Sequence, residues 1–278
     1  MRKHQYFKII RVDYTDSEYF RLHNETDTLG TFTCTRTGSP TAPNLEYSTD
    51  GVNWTTADMS ATWTVSVPAN GNIYLRGNNG TSGFNKINIQ YYNFSMDVDH
   101  SAHGNIMSIQ NYTTMTTVTA VPNYCFYYLF AGDAKLIDAS GINFGNITSI
   151  GNCGCEYMFY QCSQLQTSPD MSNVTNIGSS GCDTMFSGCS QLQTSPNMSN
   201  VTNIGSSGCS QMLYGCPKLQ TVYAPNLATW STSMFTNWVG DSGSAAATPK
   251  IMYVPTQELL DLIPSGNNGY GSYTKTLL

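Results

Sequence analysis

Two consecutive segments, CEYMFYQCSQLQTSPDMSNVTNIGSSG at residues 155–181 and CDTMFSGCSQLQTSPNMSNVTNIGSSG at residues 182–208, repeat almost the same text. They agree at 22 of 27 positions, and a looser copy, CSQMLYGCPKLQTVYAPNL, begins at Cys209. A fixed period of this length is typical of solenoids, in which each unit buries its apolar face against the next. The repeat therefore predicts stacked coils that provide a binding or structural surface rather than a catalytic pocket.

Each unit combines two patterns. Its first part has apolar residues at helical spacing, which in the second coil are Cys155, Met158, Phe159, Cys162 and Leu165. This spacing predicts a short helix, followed by a turn at Ser-Pro and an extended Asn-Val-Thr-Asn-Ile segment. The extended segments should stack as parallel strands about 4.8 Å apart. Amide ladders are then expected from Asn173 over Asn200 and from Asn176 over Asn203.

The nine cysteines are predicted to be reduced and buried. Two cysteines seven residues apart on a helix are separated by about 10 Å along its axis, beyond the reach of a disulfide. Thiols in such a stripe act as small apolar side chains. A zinc site at Cys153, Cys155 and Cys162 is the weaker alternative, because the spacing is wrong and no histidine recurs with the repeat.

Composition and charge argue against several classes of protein. Only 11% of the 278 residues are charged and the net charge is −6, which argues against a nucleic-acid partner. No apolar stretch approaches the roughly 18–20 residues of a membrane-spanning helix, and MRKHQYFKIIRVDY is a poor secretory signal. Five basic or potentially basic residues near the start indicate a solvated strand edge or an anchoring contact to a larger assembly: Arg2, Lys3, His4, Lys8 and Arg11.

Four regions are predicted along the chain. Residues 1–28 form a leader with strand character, and residues 29–95 an antiparallel, sandwich-like β-domain. In that domain LEYSTDGVNWTTA predicts a hairpin that turns at Asp50 and Gly51. Residues 96–248 hold the coils, which start near 124, 155, 182 and 209. Residues 249–278 break the period with a strand at Lys250–Val254 and a short helix, as expected of a terminal cap.

The units resemble the leucine-rich repeats of bacterial surface-antigen (BspA-like) proteins, in which an aromatic residue precedes a Cys, a Leu, a Pro and a Val-Thr-x-Ile-Gly segment. HGNIMSI at His103–Ile109 and LIDAS at Leu136–Ser140 are similar to the first coil of such proteins from gut Bacteroidetes and their phages. IMYVP at Ile251–Pro255 resembles their C-terminal cap, and LEYSTDGVNWT and IYLRGNN resemble the β-domain that precedes the repeats. The expected fold is mainly β with short helices: the N-terminal antiparallel β-domain followed by a capped, right-handed leucine-rich-repeat-type solenoid.

The resemblance implies adhesion and recognition at a surface, with no reaction and no cofactor. We expect a non-catalytic structural component of a phage virion, on capsid or tail, that contributes to attachment. The absence of a recognisable leader favours this over the alternative, a bacterial cell-surface adhesin. Expected partners are other virion proteins and a host surface protein or glycan, without nucleic acid or membrane insertion; a homo-oligomer is left open. A polysaccharide-degrading tail enzyme is a distant third reading, since carboxylate pairs can meet in the fold.

A candidate binding strip comes from the differences between the two near-identical coils. Four of their five differences fall on helix positions facing away from the apolar stripe, and the other coils have tyrosines there. Tyrosine is well suited to contacts with a protein or a glycan. The alternative explanation is that the sequence drifted at these exposed positions after duplication, because nothing packs on them. The strip comprises Tyr127, Tyr128, Tyr157, Tyr160, Gln161 and Tyr214.

One cluster has the residue types of a metal site. The segment DVDHSAH contributes two carboxylates and two imidazoles within seven residues, which could hold a divalent cation: Asp97, Asp99, His100 and His103. A polar loop between two domains explains the same residues without a metal. No Gly-x-Ser-x-Gly, P-loop or HExxH motif is present.

Overall fold

The computed structural model describes residues 19–86, 90–229, 231, 233–239, 250–263 and 273–278. Within these ranges the chain is mainly β, with 16 strands and two short helices. The predicted basic anchor, residues 1–18 of the predicted leader and residues 264–272 of the predicted cap lie outside the described residues.

The strands are mostly short. They are β1 (Phe20–Asn24), β2 (Gly30–Thr37), β3 (Leu45–Ser48), β4 (Thr55–Thr56), β5 (Trp63–Val67), β6 (Asn72–Gly77), β7 (Tyr91–Met96), β8 (His100–Asn105), β9 (Ala120–Val121), β10 (Leu136–Asn143), β11 (Ser149–Ile150), β12 (Asn176–Ile177), β13 (Asn203–Ile204), β14 (Thr221–Tyr223), β15 (Lys250–Val254) and β16 (Tyr273–Leu277). The helices are α1 (Ser108–Asn111) and α2 (Gln257–Leu262).

Two sheets organise the N-terminal half. The larger has the order β10-β8-β1-β6-β3-β4 and is antiparallel except for the parallel pair of β8 and β10. The smaller is antiparallel, with the order β5-β2-β7. Because β8 and β10 follow residue 96, the larger sheet joins strands from the predicted β-domain with strands from the region where the coils were expected.

The predicted hairpin is confirmed. Strands β3 and β4 pair antiparallel, with Tyr47 opposite Thr55. Gly51 has a φ of 75°, which glycine adopts without steric cost. Asp50 fixes the turn because its carboxylate accepts the backbone N–H of Asn53 at 2.8 Å.

Aromatic rings join the two sheets to the repeats. Tyr47 of β3 stacks on Trp63 of β5 with 5.2 Å between ring centroids. Phe130, in the predicted first coil, lies 6.0 Å from Phe20 of β1 and 6.1 Å from Phe94 of β7. One continuous apolar interior therefore runs from the N-terminal sheets into the repeats.

The extended segments of the repeats pair as parallel strands, as predicted. They form a four-stranded sheet with the order β13-β12-β11-β9. Ile150 pairs with Ile177, and Ile177 with Ile204, so equivalent residues of successive units lie side by side. Each of these strands is only two residues long.

The asparagines of these segments are in register, but their amides bond differently from the predicted ladders. Asn176 pairs with Asn203 in the parallel sheet. The side-chain amide of Asn200, however, donates to the carbonyl of Ser172 at 2.7 Å, and that of Asn176 to the hydroxyl of Thr175 at 2.8 Å. The amides thus tie one unit to the backbone of the preceding unit or to a neighbouring hydroxyl.

The predicted repeat helices are wrong. Residues 124–133, 153–162, 180–189 and 207–216, which we call the first to fourth turn runs, are chains of overlapping turns. In each turn run, a residue with a positive φ recurs at every fourth position. In the second turn run these residues are Cys153, Tyr157 and Gln161, with φ of 54°, 58° and 57°.

Hydrogen bonding explains why turns replace the helix. In each turn run one N–H bonds the carbonyl three residues earlier, and the next N–H crosses to the following run. Thus Phe159 donates to Met185 at 2.9 Å, and Phe186 donates to Met212 at 2.8 Å. An α-helix would use both N–H groups within its own turn, so bonding across the stack excludes it.

The predicted burial of the Cys-Met-Phe-Cys stripe is confirmed. Phe159 and Phe186 are fully buried, and their rings stack at 5.1 Å with 9° between planes. Phe130 continues the stack at 5.4 Å from Phe159. The i, i+3, i+4, i+7 pattern therefore marks the inward face correctly, although the backbone is not helical.

All nine cysteines are free thiols, and eight of them are buried; Cys153 is half-buried. The second cysteine of each repeat does more than fill space, because its thiol donates to the phenylalanine carbonyl of the preceding turn run. Cys162 reaches the carbonyl of Phe130 at 3.1 Å, and Cys189 that of Phe159 at 3.1 Å. The thiol is a second donor to a carbonyl that also accepts a backbone N–H, since the carbonyl of Phe159 accepts the N–H of Cys162 at 3.1 Å.

The stack of turn runs continues beyond the four predicted starts. Residues 233–239 cover the fourth turn run, where Gln211 donates to Thr236 and Leu213 to Trp238, each at 2.8 Å. Phe235 and Trp238 are fully buried there. Cysteine is absent from this segment, which is why the cysteine-based pattern missed it.

The predicted strand at Lys250–Val254 is confirmed as β15, which lies between β14 and β16 in a parallel sheet. Helix α2 follows, and the Thr256 hydroxyl caps it by accepting the N–H of Leu259 at 3.2 Å. Leu259 is buried against the same interior.

Replacing Phe186 with Ala should destabilise the chain by about 3–5 kcal/mol, because a ring leaves the middle of the stack and the cavity closes only in part. Denaturant unfolding measures the change. The matched control is Tyr214→Ala, which removes a ring that is 39% exposed. Equal stability of the two variants would contradict the inward assignment of Phe186.

Native thiols should be nearly inert to an alkylating reagent at about pH 8, since only the thiolate reacts. Burial raises the pKa of Cys125 and of Cys216 to about 12. Cys153, as the half-buried thiol, should be labelled first, and all nine should be labelled after denaturation. Mass spectrometry of the labelled peptides gives the order; fast labelling of Cys189 would contradict the packing.

Candidate functional site

The structure brings most of the predicted strip together. Tyr128, Tyr157 and Tyr160 are half-buried, and Gln161 is exposed. Tyr127 was expected to face outward, but it is only 7% exposed. The expectation assumed a helix; in the turn run this ring is surrounded by other tyrosines.

Six tyrosines form an unbroken chain of ring contacts, which we call the tyrosine surface: Tyr91, Tyr124, Tyr127, Tyr128, Tyr157 and Tyr160. Tyr128 is sandwiched between Tyr91 at 4.7 Å and Tyr157 at 4.5 Å. Tyr91 belongs to β7, so the surface spans from the smaller N-terminal sheet to the second turn run. Sequence analysis missed Tyr91 and Tyr124, because only the fold aligns them with the strip.

Tyr214 lies apart from this surface. It is 39% exposed and occupies, in the fourth turn run, the place that Tyr160 has in the second. The third turn run has Ser187 there. Among the residues that the structure describes, Tyr214 makes no ring contact with the other predicted tyrosines, so the strip is not continuous.

Three of the six tyrosines occupy backbone positions that do not favour a bulky residue. Tyr124, Tyr128 and Tyr157 have φ of 57°, 57° and 58°. A left-handed conformation costs a bulky residue roughly 1–2 kcal/mol. The third turn run shows that the fold does not need tyrosine, because it has Ser180 and Thr184 at the equivalent positions.

Two carboxylates flank the tyrosine surface. Glu156 and Asp183 occupy equivalent positions in the second and third turn runs and are half-buried. Burial raises the pKa of Glu156, and the charge of Asp183 adds to this shift. Burial also raises the pKa of Tyr157, with smaller contributions from both carboxylates. Residues 124–133, 153–162 and 180–189 themselves contain no Lys or Arg.

The predicted cation site is not assembled, which corrects that hypothesis. Each of its four residues has a separate partner, and among the described residues no group of three His, Cys, Asp or Glu side chains could hold a metal ion. Two of them lie in strand β8 rather than in a loop. The partners are Thr31 N–H for Asp97, Lys135 for Asp99, Asp133 for His100 and Ser101 for His103.

His100 and Asp133 form a fully buried ion pair, with 3.0 Å between Nε2 and Oδ2. The other ring nitrogen of His100, Nδ1, lies 2.9 Å from the carbonyl of Val98. Burial lowers the pKa of His100, but the charge of Asp133 and the contacts with Asp133 and Val98 outweigh it, so the pKa is raised. The pair links β8 to the end of the first turn run.

The outer face of the larger sheet contains a polar cluster that sequence analysis did not find. Ser101 donates to the carboxylate of Glu25, and its oxygen lies 2.7 Å from Nε2 of His103. Burial, followed by the charge of Arg21, lowers the pKa of His103 to about 4. The Ser101 proton is engaged by Glu25 and the side chain is 1% exposed. The cluster is therefore a buried hydrogen-bond network that supports the sheet. Ser101 does not have the arrangement of an activated nucleophile.

Two cavities lie beside strand β10 and the repeats. One of about 380 Å³ is lined by residues 140–147 and 170–174. The other, of about 320 Å³, is lined by Ser140, Gln166, Thr167, Ser168, Gln193 and Thr194. Polar atoms provide most of the surface of the first cavity, whereas apolar atoms provide most of that of the second; Ser140 is common to both.

Comparisons with protein-family models, curated proteins and solved structures give no match to this chain. Within the described residues, no helix has the length and apolar character needed to cross a membrane. The assignment of function therefore rests on the geometry of the sites.

The His100–Asp133 pair should make stability depend on pH. Because the pKa of His100 is raised in the folded state, its contribution is complete below the unfolded value of about 6.5. It is lost as pH rises through the folded pKa. The stability difference between the native chain and His100→Gln should thus be largest near pH 6, at about 3–5 kcal/mol, and smaller at about pH 9. Denaturant unfolding at several pH values measures it; a constant difference would contradict the ion pair.

Proposed function

We propose that this chain is a non-catalytic recognition protein displayed on the surface of a phage virion, on capsid or tail, where it contributes to attachment. Its architecture in this proposal is an N-terminal β-sandwich that carries a capped leucine-rich-repeat-type solenoid. Its partners are other virion proteins and a protein or glycan of the host surface.

The repeat geometry supports the proposed solenoid. Equivalent residues pair in parallel across units, as Ile177 does with Ile204. Equivalent rings stack, as Phe159 does on Phe186. Successive units of 27 residues that bond in one direction are what a solenoid requires, and the stack of Tyr47 on Trp63 supports the sandwich.

The observation that supports recognition most strongly is the tyrosine surface. Half-exposed tyrosines cost little conformational entropy on binding and offer both apolar area and a hydroxyl. Three of them, Tyr124, Tyr128 and Tyr157, occupy left-handed positions where the third turn run has Ser180 and Thr184, and such strain is a reason to look for function. A binding surface accounts for both facts.

The alternative is a bacterial cell-surface adhesin with the same repeats, for which the tyrosine surface is equally suitable. The two proposals differ in where the chain is found, on phage particles or on the bacterial surface. A polysaccharide-degrading tail enzyme remains the distant third, and hydrolysis of host polysaccharide that is lost on replacing Glu156 or Asp183 would favour it.

Mass spectrometry of phage particles purified by density gradient should find peptides of this chain in constant ratio to the major capsid protein. Surface biotinylation of intact, uninfected bacteria is the matched experiment for the adhesin. Labelling of the chain on such bacteria, together with its absence from particles, would overturn the virion proposal.

A further inference from the structure

We propose that the tyrosine surface binds an uncharged oligosaccharide of the host envelope at the corner formed by Tyr157, Tyr160 and Gln161. This inference rests on the proposed function and gives it a ligand class. It is carried by the ring geometry, the local charge and the backbone at that corner.

The rings at this corner suit a sugar. Tyr157 continues the stack from Tyr128, but Tyr160 meets it edge to face, with 5.5 Å between centroids and 89° between planes. Two perpendicular rings form an angle in which a pyranose can lay its C–H face on one ring and direct its hydroxyls to the other. The exposed amide of Gln161 donates to the Tyr160 hydroxyl at 3.0 Å, which places further polar groups at the same corner.

Charge selects among glycans. The first three turn runs contain no Lys or Arg, whereas Glu156 and Asp183 flank the rings. A phosphate, uronic acid or sialic acid would have to approach two carboxylates, and these three turn runs supply no Lys or Arg to compensate the repulsion. Neutral sugar hydroxyls, in contrast, donate well to carboxylates and amides.

The corner is fixed before a ligand arrives. The backbone N–H of Tyr157 bonds the carbonyl of Asp183 at 3.1 Å, and that of Gln161 bonds Ser187 at 2.8 Å. Both residues are held at a positive φ by these bonds. The backbone is therefore ordered during folding, and ring contacts with Tyr128 and Tyr160 restrict the side chain of Tyr157, which favours tight binding by a small contact area.

The third turn run supplies a matched variant. Replacing Tyr157→Thr, Tyr160→Ser and Gln161→Gly together gives the second turn run the residues that the same backbone has at Thr184, Ser187 and Gly188. The triple variant should therefore fold. The control is Tyr214→Ser, which makes the same type of change outside the tyrosine surface.

The experiment uses the full chain on an array of uncharged hexose and N-acetylhexosamine oligosaccharides, with uronic-acid and sialylated oligosaccharides as the anionic set. Calorimetry then gives the Kd for the best neutral ligand. The triple variant should bind it at least about 30-fold more weakly, whereas Tyr214→Ser should bind it as the native chain does. Both should melt within a few degrees of the native chain.

The outcomes separate the two proposals. Binding of the triple variant to the neutral ligand at native affinity, or preference for the anionic set, overturns the glycan site. Binding of the native chain to host cells that persists after periodate oxidation overturns the glycan ligand but leaves attachment in place. A chain found in virions that binds neither cells nor sugars overturns both the glycan site and the attachment role.

Discussion

Backbone hydrogen bonds between successive turn runs are the interaction on which the repeat region depends. Every second N–H, such as that of Phe159, finds its carbonyl in the next turn run rather than in its own. Left-handed residues recur at every fourth position, and roughly 1–2 kcal/mol of strain at each bulky one persists only because the neighbouring run holds it. No single unit could keep this conformation alone, so stacking and local structure form together.

Because of the same bonds, the inward residues that pack the interior and the outward residues that form the surface occupy separate positions of each turn run. The bonds hold equivalent residues of neighbouring runs at ring-stacking distance, so Phe159 meets Phe186 inside while Tyr128 meets Tyr157 outside. The inward positions must keep their volume, since a lost ring leaves a cavity. The outward positions accept tyrosine in one run and Thr184 in the next on the same backbone. Recognition can therefore change by substitution without disturbing the stack.

The N-terminal sheets complete the first end of that stack. Phe20 and Phe94 pack on Phe130 and cover its ring, and Tyr91 extends the outer tyrosines beyond the repeats. The buried pair of His100 and Asp133 ties the larger sheet to the first turn run. The sheets thus help to build the proposed binding surface, in addition to any part they have in anchoring the chain.

The sequence alone determined the period, the inward Cys-Met-Phe-Cys stripe, the hairpin at Asp50 and the strand of the cap, because each of these is written in local spacing and residue type. The tertiary structure decided the rest. An apolar spacing of three and four fits a helix or a chain of turns, and the choice depends on backbone acceptors 25–28 residues away in the next turn run. Tyr91, and the contact of Ser101 with Glu25, depend on strand register in the same way. Their partners are distant in the chain, and only the folded sheets bring them together.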